Sequence, residues 1–234
     1  MGETLMPAAE QQVAVLEEAG ALFTLLGRLF HGVPDRELIA SAVDERLFDE
    51  VPFATGEGAE AAREILVSWA NQCASPFSDG DFHDLSADYT RLFVGTRRVL
   101  APMWESVYFN KDRMVFQRET FEVRSAYARY GLEVDALSHE PDDHLAYELL
   151  FIGRLCQLAA EAARCEDASE ADRIVADAVS FAVCHPMTWV PRWREAVERY
   201  ARCDFYRGYA ALVDAALHQL ESELGGACAR VAAA

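Results

Sequence analysis

The chain has 234 residues, with 21 Lys and Arg against 39 Asp and Glu, for a net charge of −18. A hydrophobic content of 52% excludes a disordered chain, and a chain of this length buries enough surface to fold without disulfides or metal. The acidity argues against a grip on a nucleic-acid backbone or an anionic lipid surface, since both need clustered Lys and Arg, and it favours cationic partners.

The apolar spacing is helical nearly throughout. Between residues 11 and 30, Val13, Leu16, Leu22, Phe23, Leu26 and Phe30 recur at steps near three and four, and Gly32 and Pro34 end the run. Leu38, Ile39, Ala42, Val43 and Leu47 mark a second helix, and Ile65, Leu66, Trp69 and Cys73 a third. Phe82, Leu85, Tyr89, Leu92 and Phe93 mark a fourth, closed by Gly95 in the role of a C-terminal cap. Residues 96–111 are less periodic and read as a loop with one helical turn. Phe116, Val123, Tyr127 and Tyr130 predict a helix stopped by Gly131, and a polar stretch at 133–141 follows.

The next stripe is Leu145, Leu149, Ile152, Leu155 and Ala159. Ser169, Glu170, Ala171 and Asp172 predict a capping box for the helix bearing Ile174, Ala178 and Phe181, which His185 and Pro186 end. Trp193, Val197 and Tyr200 come next, then Tyr209, Leu212, Val213, Ala216, Leu217 and Leu220. No segment alternates with period two, and only the Ala-rich tail is of low complexity. The expectation is an all-α protein: one helical-bundle domain over 1–234, in two halves with a hinge loop near 131–141.

The opening residues lack both a basic start and an apolar run, so no signal peptide is expected, and the longest apolar stretch, at 149–153, is far too short to span a bilayer. The expected location is the cytoplasm. Cys73, Cys156, Cys165, Cys184, Cys203 and Cys228 form no CxxC pair and read as reduced thiols. His139 and His144 stand five apart with Pro141 between them, which does not fit the i, i+4 geometry of HExxH, so no metal is expected. There is no phosphate-binding glycine loop, no GxSxG elbow, and a single lysine, Lys111. The familiar catalytic signatures are absent.

Two clusters stand out. Tyr89, Leu92 and Phe93 precede Trp104, Glu105 and Tyr108 around a loop after a helix end, which is either core packing or the lining of a peptide groove. Glu140, Pro141, Asp142, Asp143 and His144 follow at the expected hinge. Pro141 suits a first helical turn and Asp142 and Asp143 the positive end of a helix dipole, which leaves His144 unaccounted for. Acids beside an apolar surface are also suited to hold arginine.

In these residues the chain resembles the TorD/DmsD family of redox-enzyme maturation chaperones, to which the NarJ-type nitrate reductase chaperones are related. The marks are the run from Tyr89 through Gly95, the run from Pro102 through Tyr108, and Glu140, Pro141, Asp142, Asp143 and His144 as the family's E-P-x-D-H signature. A C-terminal run of Phe181, His185, Trp193, Phe205 and Tyr206 completes the order. The resemblance implies an all-helical cytoplasmic protein without catalytic activity. It implies binding of the twin-arginine (Tat) signal peptide of a molybdopterin-containing oxidoreductase subunit of the dimethyl sulfoxide reductase type, and help with its cofactor insertion before export. It further implies a monomer or a helix-swapped dimer, with GTP or molybdopterin binding described for some members and no cofactor expected here. Carried over, Tyr89, Leu92, Phe93, Trp104 and Tyr108 become candidate lining for the peptide's apolar part, and Glu105, Glu140, Pro141, Asp142, Asp143 and His144 candidate contacts near its arginines. Two other readings stay open: a nucleotide- or pterin-binding enzyme using His144 with Asp143, and an acidic helical scaffold.

Overall fold

Leu16, Ala19, Leu22, Phe23 and Leu26 share one stripe of the first helix, and all are buried. That helix, α1 (Ala8–Leu29), packs on α6 (Leu145–Arg164), whose Leu145, Leu149, Ile152, Cys156 and Ala159 are likewise buried. The two backbones approach closely because glycines line the crossing. A Cβ on Gly153 would sit 2.8 Å from Thr24 Oγ1 and 3.0 Å from Thr24 N, and one on Gly27 would sit 2.6 Å from Leu150 Cγ.

The computed structural model describes residues 8–95, 98–134 and 140–233. After α1 come α2 (Arg36–Asp44), α3 (Glu57–Gln72) and α4 (Asp79–Tyr89), the last running into a π-turn, Thr90–Val94, and then a 3-10 turn, Glu105–Tyr108. α5 (Arg118–Ala128) precedes α6, and α7 (Ala168–Cys184), α8 (Pro186–Tyr200), α9 (Asp204–Leu224) and α10 (Gly226–Ala233) complete the chain. No β-strand occurs among the described residues; there is one isolated bridge, Trp104 to His144. The fold is all-α, as the periodicity predicts.

The caps show why the helices start where they do. Asp35 accepts from the backbone N–H groups of Glu37 and Leu38 at the head of α2, and Ser78 with Asp81 makes a reciprocal capping box on α4. The predicted box at Ser169 is replaced by Asp167, which accepts from Glu170 N at 3.0 Å, so α7 starts earlier than expected. Phe116, predicted inside a helix, lies before α5 in the left-handed region (φ +58) and is half exposed. Gly95 ends the fourth helix as expected: φ is +64, and its N–H reaches Thr90 O, the π-type bond that widens the last turn.

Buried apolar residues from Leu16 to Ala227 form one contiguous cluster. Phe30 sits at its aromatic centre, stacked on Tyr209 at 4.1 Å and edge-on to Phe93 at 5.1 Å, with Tyr206 and Trp193 around it. The two halves expected on either side of 131–141 are interleaved: α1 packs on α6, and α3 packs on α9, where a Cβ on Gly208 would meet Leu66 Cγ at 2.8 Å. The expected hinge includes 135–139, which lie outside the described residues. No single helix among the described residues is long and apolar enough to cross a membrane.

Candidate functional site

The segment 140–145 is a buckle. Glu105 N donates to Asp143 O at 3.0 Å and Leu145 N to Met103 O at 2.8 Å, which ties residues 103–105 to 143–145 across the Trp104–His144 bridge. The Asp143 side chain has no exposed surface: Oδ2 accepts from Ser106 N at 2.8 Å and Oδ1 from Thr120 Oγ1 at 2.8 Å. Asp142 is held by the Arg124 guanidinium, whose Nη2 lies 2.7 Å from Oδ2 and whose Nε reaches both carboxylate oxygens, while Tyr127 donates its hydroxyl to Asp142 O.

This placement corrects the expectation that Pro141, Asp142 and Asp143 open a helix. They form a turn ahead of α6, whose N-cap is His144. Nδ1 of His144 accepts from Ala146 N at 3.2 Å, a bond that requires an unprotonated nitrogen. Burial, with a small contribution from His31, pushes His144 down to about 3, so the imidazole stays neutral. The residue that helix-start chemistry left over is therefore the cap itself. Asp143 and His144 turn their side chains to different partners, and the His144–Asp143 catalytic pair is not formed.

Glu105 is also turned inward. It is 2% exposed, and Oε2 lies 3.0 Å from His185 Nδ1 at the junction of α7 and α8. Of the four acids expected to face arginines, Glu105, Asp142 and Asp143 are committed inside the protein. Glu140 is the exposed one; its Oε2 accepts from Trp104 Nε1 at 3.0 Å.

The aromatic half of the expected groove divides the same way. Tyr89, Leu92 and Phe93 are buried in the core, Phe93 against Phe30 and Tyr206, and line no open surface. Burial raises the Tyr89 hydroxyl to about 12. Trp104 and Tyr108 are half-buried, with Tyr108 donating to Pro102 O at 2.9 Å and covered by the Arg192 guanidinium. Beyond them Phe109, Met114, Phe116 and Phe121 form a string of half-exposed apolar side chains that motif reading missed. Asn110 shapes this loop: Oδ1 accepts from Met114 N and Nδ2 donates to Met114 O, both at 2.8 Å.

Sequence reasoning also missed the partners that hold the buckle: Ser106, Thr120, Arg124, Tyr127 and His185. Spacing within a motif carries no information about donors that the fold brings from elsewhere. Asp88 is a second buried hub, accepting from Arg202 N and Cys203 N at 2.8 Å while paired with Arg91. It borders a cavity of about 390 Å³ lined also by Asp81, Asp84, Asp204 and Trp69.

Residues 56–195, more than half of the chain, match the family described as nitrate reductase delta subunit. The chain belongs to that family. Among curated relatives of this nitrate reductase delta subunit family member, the Tat proofreading chaperone DmsD of Salmonella typhi is 25% identical over 200 residues, 86% of this chain and 87% of DmsD. The chaperone protein TorD of Vibrio parahaemolyticus is 28% identical over 130 residues, 56% of this chain and 59% of TorD. Both are named as chaperones rather than enzymes.

Proposed function

We propose that this protein is a cytoplasmic chaperone of Tat-exported redox enzymes. It binds the twin-arginine signal peptide of a molybdopterin-containing oxidoreductase subunit and holds that subunit until its cofactor is in place, acting as a monomer or a helix-swapped dimer. Family membership and the DmsD relative support a chaperone role over that of an enzyme or a bare scaffold. The observation that carries the binding site is the Trp104 indole beside the Glu140 carboxylate on the outer edge of the buckle. A carboxylate accepts up to about four hydrogen bonds, and charge-assisted bonds from a guanidinium are the strongest of these. The indole and the half-buried Tyr108 at the far end of the same turn supply the apolar half of the contact.

Release must follow capture, so the affinity expected is micromolar or somewhat tighter, on the order of −8 to −10 kcal/mol. Titrating a fluorescent twin-arginine peptide tests the reading. Glu140→Gln should weaken binding several-fold at low salt, with the difference shrinking at high salt as screening takes over. Trp104→Ala should weaken it at both. Asp84→Asn, in the acidic cavity beside Asp88, should change nothing; a loss there with Glu140→Gln silent moves the site to that cavity. A wild-type chain that ignores the peptide at every salt concentration overturns the function.

A further inference from the structure

Beneath the buckle lies a group of acids that peptide binding does not use. Glu148, in the first turn of α6, has no exposed surface. Its Oε2 accepts from Trp189 Nε1 of α8 at 3.2 Å, and its Oε1 has no hydrogen-bond partner among the described residues. Glu105 meets it from the 3-10 turn, with His185 on Glu105's far side. Asp143 faces it from the buckle and Tyr127 from α5, but each Asp143 oxygen already accepts a hydrogen bond, from Ser106 N and Thr120 Oγ1, and the Tyr127 hydroxyl is given to Asp142 O. No Lys or Arg among the described residues pairs with Glu105, Asp143 or Glu148.

Two ionised carboxylates in a buried site, with one imidazole on Glu105's far side and no Lys or Arg beside them, carry a desolvation penalty and a mutual repulsion that no guanidinium or ammonium offsets. A bare Oε1 is satisfied once it carries a hydrogen and donates it to Glu105. We propose that Glu105 and Glu148 form a buried proton-binding site: one proton, carried on Glu148 Oε1 and donated to Glu105, fastens the Glu105–Tyr108 turn to α6 and, through Trp189 and His185, to the α8 end of the bundle. The proton comes from solvent and returns to it, with no bond to carbon made or broken. Burial first, and then repulsion by Glu105 and Asp143, raises Glu148 well above the ordinary 4.5. Stability from this proton is complete below the ordinary value and is lost as pH rises through the raised one. Because Trp104 caps the same turn, loss of the proton also loosens the proposed peptide surface; that last step alone rests on the peptide-binding reading.

Infrared difference spectroscopy of the full chain, titrated from about pH 5 to about pH 9, reads the site directly, because surface carboxyls are ionised over most of that range. A protonated-carboxyl C=O band should persist at neutral pH and vanish in Glu148→Gln. The melting temperature of the wild type should fall toward alkaline pH, and that slope should flatten in Glu148→Gln, whose amide supplies the hydrogen permanently. If Glu148→Gln does not fold, Glu105→Gln keeps the band and lowers the alkaline slope by removing the repulsion. Absence of the band at neutral pH, or a band that survives in Glu148→Gln, overturns the proposal. Because the band is read without peptide, a failure of peptide binding leaves it standing, and a missing band with intact binding refutes the proton alone.

Discussion

His144 shows how much a single side chain can be asked to do in a buried place. It caps α6 through a lone pair, so protonation removes the cap and places a charge in a buried site. Its affinity for a proton is lower in the folded chain than in the unfolded one, about 3 against 6.5. The stability it contributes is therefore present in full above pH 6.5 and declines as pH falls toward 3. Between about pH 6.5 and pH 5 the loss is on the order of 2 kcal/mol. His144→Asn should keep the cap, since Asn is among the best N-cap residues, and should flatten the acid side of a urea-midpoint profile. A variant with the same acid slope as the wild type would show that another group governs it. The signature containing His144 was legible in the sequence, but which of its acids faces outward was not. Thr120 and Arg124 decide that from α5, and nothing in the spacing of residues 140–144 announces them.

At the scale of elements, the α1–α6 crossing depends on what is missing. Gly153→Ala would bring a methyl to within 2.8 Å of Thr24 Oγ1 and 3.0 Å of backbone, and backbone cannot swing aside as a side-chain tip can. Overpacking of that kind costs about 1–3 kcal/mol and should lower the melting temperature by several degrees. Gly32→Ala is the control, since a Cβ there meets nothing within 4 Å and no such drop is expected. Equal melting of the two variants would mean that the helices separate freely. The helices themselves were legible because their apolar spacing matches the faces that are buried. Their ends were less so: Asp167 took the capping role from Ser169, and Phe116 lay outside its helix, because apolar period does not register a half-exposed loop residue with positive φ. For Tyr89, Leu92 and Phe93 the pattern alone favours core over groove, and burial against the rings of Phe30, Trp193 and Tyr206 agrees.

For the whole molecule, the interleaving of α1 with α6 and α3 with α9 means that neither half owns its core. A chain cut between residues 134 and 140 should keep its two pieces together through gel filtration. Each piece expressed alone should lack a cooperative melt, because its apolar stripes then face water. Pieces that separate and each melt cooperatively would restore two independent halves. The Glu105–Glu148 pair lies buried inside the molecule, as do Asp88, Asp142 and Asp143.

The pairing of α1 with α6 also sets a timetable for biosynthesis. The ribosome adds about 5–20 residues per second, so on the order of ten seconds pass between the emergence of Leu29 and that of α6. Throughout that interval the face of α1 that carries Gly20, Thr24 and Gly27 has no α6 to meet it. A protein proposed to shelter the unfinished chains of others thus begins as a client, and its own earliest helix waits for shelter from one far along the chain.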